Sequence, residues 1–76
     1  MDKEFLDIVA GILKVDSGLL EKNSTPESVP EWDSLIHWTV IGELEEMYHI
    51  EFTMDEATGF KNLGDIYRTL QCKLPE

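Results

Sequence analysis

Phe5, Leu6, Ile8, Val9, Ile12 and Leu13 recur at three- and four-residue intervals. That rhythm predicts an amphipathic helix from about Lys3 to Lys14, with Asp2 as its N-cap. From Val15 to Asp33 the rhythm is lost, and Gly18, Pro26 and Pro30 stand among Ser and Asn. This stretch reads as a long loop, anchored on the core by Leu19, Leu20, Val29 and Trp32. Within it, Thr25 followed by Pro26 suits a short helical turn. Leu35, Trp38, Ile41, Leu44 and Tyr48 then restore the helical period. They predict a second helix from Ser34 to about Tyr48 with one inward stripe, whose phase Glu45 shares. Asp33 holds the N-cap position, and Gly42 reads as a place of close packing. Ile50 to Phe52 is a short extended connector. Thr53 and Glu56 form a capping box that opens a short third helix, which Gly59 ends. Asn62 caps a last helix carrying Leu63, Ile66, Tyr67, Leu70 and Leu74, and Pro75 stops it. The expected fold class is all-α: a bundle of three main helices plus one short helix, with a long loop after helix 1.

Composition narrows what such a bundle can do. A chain of 76 residues reads as a single domain over 1–76. At this size only about 60–65% of the unfolded surface is buried, so the core is thin. A deep catalytic cleft is not expected, and a binding module or a substrate of other proteins is. The hydrophobic content of 42% supports a core and argues against disorder. The single Cys72 excludes an internal disulfide and fits a reducing, cytoplasmic setting. No signal peptide and no membrane span are readable.

Charge sharpens this further. The formal charge is −10, with 16 acids against 6 Lys and Arg. Nucleic acid and anionic membrane are disfavoured as partners, and basic protein surfaces are favoured. Between Asn23 and Phe60 there is no Lys or Arg, but there are nine acids: Glu27, Glu31, Asp33, Glu43, Glu45, Glu46, Glu51, Asp55 and Glu56. Such a run is either a solvated face or a docking face.

Ser34 is the residue with a chemical question attached. It stands where a helix begins, and a helix N-terminus offers unpaired N–H groups and partial positive charge. A phosphoryl-linked group on its hydroxyl is stabilised by both. Simple helix capping is the other reading of a serine in this place. For a hydrolase, Ser34 lacks a GxSxG setting and any evident oxyanion hole, although His37 and His49 are possible bases. His37, His49 and Cys72 show no metal-ligand spacing, and the acids from Asp55 to Asp65 lack the calcium-loop pattern. No metal site is expected.

Three motifs then carry a resemblance: WDSL at Trp32–Leu35, LEEMYHIEF at Leu44–Phe52 and FKNLGDI at Phe60–Ile66. In their order and spacing they resemble the acyl carrier protein family, over about Phe5 to Leu70. The lead-in STPESVPEWDSL, Ser24 to Leu35, is similar to discrete carriers of specialised acyl pathways. The resemblance implies an acyl-carrier-like bundle. It implies that Ser34 carries 4′-phosphopantetheine, transferred from coenzyme A by a phosphopantetheinyl transferase, with Asp33 and Leu35 flanking the attachment point. It further implies a cytoplasmic monomer that is not itself an enzyme. Acyl groups held as thioesters are then presented to loading and processing enzymes with basic docking patches, in fatty acid, polyketide or related biosynthesis. Glu43, Glu45, Glu46, Glu51, Asp55 and Glu56 are the implied contacts. Ile36, His37 and Thr39 stand where carriers of fatty acid synthesis usually have acids, which points to dedicated partners. An aminoacyl or peptidyl carrier with the same arm, and an unmodified acidic interaction module, are the alternative readings. A chain running from Met1 to just past its last helix suits a discrete carrier.

Overall fold

The structure is a computed structural model that describes residues 2–74. Four α-helices follow one another: α1, Lys3–Leu13; α2, Ser34–Tyr48; α3, Met54–Gly59; and α4, Leu63–Lys73. No strand occurs among the described residues. The all-α expectation holds, with three main helices and one short one.

Each helix begins where a short polar side chain satisfies an otherwise orphaned N–H group. Asp2 accepts from the Phe5 N–H, Asp33 from Ile36 and Asn62 from Asp65, at 2.9, 2.9 and 2.8 Å. At α3 the capping box is complete: Thr53 accepts from the Glu56 N–H, and Glu56 accepts from the Thr53 N–H. α1 and α2 both end on a residue in the left-handed region, Lys14 (φ 61°) and His49 (φ 56°). Lys14 thus closes α1 as its cap and is not its last helical residue. The expected stop at Pro75 lies outside the described residues; Leu74 is already extended and half-buried.

The core lies where the helices converge. Phe5, Val9, Val40, Leu44, Leu63, Ile66 and Leu70 have essentially no exposure. Tyr67 meets Phe5 edge-on and donates its hydroxyl to Asp2, which joins the end of the bundle to its beginning.

The loop between α1 and α2 is more ordered than its sequence pattern suggests. Ser17–Leu19 form one 3₁₀ turn, capped by Asp16. Thr25 to Ser28 form the expected turn, with Ser28 donating its N–H to Thr25 Oγ1. Leu20, Val29 and Trp32 are buried anchors, as expected, but Leu19 is exposed. The 3₁₀ turn directs adjacent side chains to different faces, so of the two leucines only Leu20 reaches the core. The loop also caps α4: the Leu63 and Gly64 N–H groups donate to the carbonyls of Ser24 and Lys22. A Cβ on Gly64 would stand 3.0 Å from both the Lys22 Cβ and its carbonyl oxygen. Glycine is therefore what lets the loop approach so closely.

The buried face of α2 departs from the sequence expectation. Its inward residues are Val40, Ile41 and Leu44, with Ile36 half-buried against the core. Leu35 and Trp38, expected to point inward, are 79% and 45% exposed. Apolar residues occur around most of this helix, so periodicity alone does not set its rotation. Gly42 faces open space, and no neighbour comes within 4 Å of where its Cβ would be. The close packing expected there is absent.

Candidate functional site

The candidate site is the start of α2 and the cleft beside it. Asp33 turns its carboxylate back over the helix end and takes the Ile36 N–H, while its carbonyl accepts from His37. Ser34 is therefore the first helical residue and not the cap. It is exposed, and its hydroxyl is not used in closing the helix. Among the described residues, the N–H groups of Ser34 and Leu35 find no protein acceptor. Two backbone donors and the positive helix end thus remain available beside the Ser34 hydroxyl.

Behind Ser34 runs an open cleft of about 380 Å³ between α2, α3 and the loop, lined by Trp32, Ser34, His37, Trp38, Ala57 and Phe60. His37 is the tie that shapes it. Its Nδ1 accepts from the indole N–H of Trp32 at 3.2 Å. An indole only donates, so the imidazole proton is on Nε2, which donates to the Ala57 carbonyl at 2.8 Å. One side chain thereby fastens the loop and α3 to α2. The Trp32 and His37 rings lie stacked at 6.0 Å, and Trp38 meets His37 edge-on at 5.8 Å. On the far side Phe60 is braced by Phe52, edge-on at 5.5 Å. His37, expected as a partner contact, has both ring nitrogens engaged within the fold. Trp38, expected in the core, is a cleft wall.

The acids divide into two sets. Glu45 reaches across to accept the Phe52 N–H at 2.9 Å, fixing the exit from α2, as its share in the buried phase hinted. Glu56 closes the capping box and pairs with Lys73 at 2.9 Å. The Thr53 backbone N–H, with Lys73, holds its carboxyl below the usual range. Glu43, Glu46, Glu51 and Asp55 are exposed and make no ion pair among the described residues. Beside them on α2, apart from Ser34 and Gly42, the exposed residues are Leu35, Trp38, Thr39 and Met47. Sequence reasoning pointed to Ile36 and His37 here and missed Leu35, Trp38 and Met47 as surface features. These differences follow from the rotation of α2. Cys72 is exposed and unpaired, and is not among the residues that line the cleft. No helix among the described residues is long and apolar enough to cross a membrane.

Comparison with solved structures identifies the fold. The solution structure of a holo acyl carrier protein from Geobacter metallireducens superposes with a TM-score of 0.83 and 30% sequence identity, over 92% of this chain and 80% of that one. No protein-family model and no curated protein matches the sequence. A helical bundle so closely superposed, at this identity and coverage, defines a carrier fold. The chain belongs to the acyl carrier protein family, and its role is that of a carrier.

Proposed function

We propose that Ser34 is the attachment point of a 4′-phosphopantetheine arm, and that the protein holds acyl groups on that arm for partner enzymes. The observation that carries this reading is an exposed hydroxyl on the first residue of α2, beside two backbone N–H groups with no protein acceptor. The Ser34 and Leu35 N–H groups and the helix end favour a phosphodiester there. Asp33 closes the helix independently of Ser34, so modification leaves the cap intact. The arm, once attached, supplies a terminal thiol that carries acyl groups as thioesters, and Cys72 has no part in this.

The docking face of this reading consists of the unpaired acids Glu43, Glu46, Glu51 and Asp55, which suit basic patches on loading and processing enzymes. Leu35, Trp38 and Thr39 supply an apolar edge next to Ser34. That edge favours dedicated partners of a specialised acyl pathway over those of general fatty acid synthesis. Glu45 and Glu56 contribute charge to the face while their carboxylates serve the fold.

The test is an intact-mass measurement after incubation with coenzyme A, Mg²⁺ and a promiscuous phosphopantetheinyl transferase. A gain of one phosphopantetheine is expected, and Ser34→Ala should abolish it. A folded protein that gains no mass refutes the assignment and leaves an unmodified interaction module as the reading.

A further inference from the structure

We propose that the cleft beside Ser34 selects a compact, ring-bearing acyl group, such as an aryl or arylalkyl acyl, over an extended alkyl chain. The inference rests on the reading of Ser34 as the attachment point, and it names the class of cargo.

Two properties of the cleft carry it. The first is its lining. His37, Trp38 and Phe60 present rings to a space of about 380 Å³, and the almost buried Trp32 ring closes its floor. Ring faces and edges recognise another ring through stacked and edge-on contacts, which a saturated chain cannot reproduce. These walls are also preorganised. His37 is held by hydrogen bonds at both nitrogens, Phe60 is braced by Phe52, and Trp32 is almost fully buried. Little ordering of the walls remains to oppose binding. Trp38 is the open wall, with 45% of its surface exposed, and a bound ring would cover part of it.

The second property is what lies beneath. A long alkyl chain needs a channel running between the helices into the core. Here that region is filled by Val40, Leu44, Leu63 and Ile66, none more than 1% exposed. Trp32 and Ala57, at 3% and 2% exposure, form the floor of the cleft itself. Entry of a chain would require repacking of side chains that are already close-packed. Ser34 lies on the rim, so an acyl group on a flexible arm rooted there reaches the cleft by folding back. Short, broad cargo is accommodated without disturbing the core.

The experiment loads the full chain with phenylacetyl- or hexanoyl-phosphopantetheine, using the matching acyl-coenzyme A and a promiscuous transferase. The Ser34 oxygen takes the acyl-phosphopantetheine group, and adenosine 3′,5′-bisphosphate leaves. Two readouts follow: the indole N–H signals of Trp32 and Trp38 in ¹H–¹⁵N spectra, and the rate at which hydroxylamine cleaves the thioester, relative to the same acyl-pantetheine free in solution. The phenylacetyl form should shift both indole signals and be protected roughly threefold or more, the scale of a ring–ring contact. The hexanoyl form should shift them little and be cleaved near the free rate. Trp38→Leu keeps an apolar side chain at an exposed position and should remove the phenylacetyl protection. Equal or greater protection of hexanoyl, or phenylacetyl cleaved at its free rate, overturns the inference while leaving Ser34 as the attachment point. Failure of a folded protein to accept either group refutes the attachment itself, and the inference with it.

Discussion

Replacing His37 with alanine tests whether one side chain fastens the cleft together. The substitution removes two hydrogen bonds, from the Trp32 indole and to the Ala57 carbonyl. The two losses differ in kind. Trp32 is only 3% exposed, so its N–H is left buried without an acceptor, at a cost of about 1–3 kcal/mol. Ala57 is also buried, but a carbonyl at the cleft floor can turn to water, so its lost bond costs about 1 kcal/mol. Stacking between the Trp32 and His37 rings disappears as well. A total of about 2–4 kcal/mol is a large part of the stability of so small a domain. Urea unfolding followed by Trp fluorescence should show the midpoint fall with little change in slope. Thermal unfolding should fall by roughly 10 °C or more. Trp32→Phe removes the donor instead, so His37→Ala should cost about 1 kcal/mol less in that background. A loss below about 0.5 kcal/mol in the wild-type background, or strict additivity of the two substitutions, would refute the clasp.

Other expectations follow from the same geometry. Gly42→Ala should raise stability by about 1 kcal/mol in urea unfolding, because the added methyl meets open space and removes a helix-interior glycine. Glu45→Ala should lower it by about 1–2 kcal/mol through loss of the bond to the Phe52 N–H, and should speed hydrogen exchange at Phe52. Acid should destabilise the protein. The Glu56 carboxyl is held low by the Thr53 N–H and Lys73, and Asp65 by Arg68 and the Lys61 N–H. A depressed carboxyl contributes fully above its unfolded value, near about pH 4, and the contribution fades as pH falls through the lower folded value. Melting temperature measured against pH should therefore drop on the acid side, less steeply in Glu56→Gln.

Much of this fold is legible in the sequence because helix ends are local events. Asp2, Asp33, Thr53 and Asn62 each accept an N–H three residues ahead, and such spacing can be read directly from the chain. The rotation of α2 is not local. Leu35, Ile36, Trp38, Val40, Ile41, Leu44, Met47 and Tyr48 surround much of the helix, and contacts with α1, α3 and the loop decide which of them turn inward. The same limit hid the cleft. His37 and Trp38 follow Ser34 by three and four residues, whereas Ala57 and Phe60 come from beyond the next connector. The signal that was present is the pair Trp32 and His37, an indole donor and an imidazole acceptor across a helix start, but nothing in the sequence distinguishes that tie from two unrelated surface residues.

The loop's hold on α4 uses carbonyl groups of Lys22 and Ser24, not their side chains. Any residue supplies a carbonyl, so this joint places almost no demand on side-chain identity at position 22, and at position 24 the demand comes from the buried Ser24 hydroxyl, which accepts the Glu21 N–H. The demand falls on Gly64, where the main chains come together. Loop segments transplanted from other carriers should seat here provided that their path length is kept, positions 20, 29 and 32 keep their buried anchors and position 64 remains glycine. The outward side chains of this loop can thus be exchanged while the helical frame beneath it stays the same.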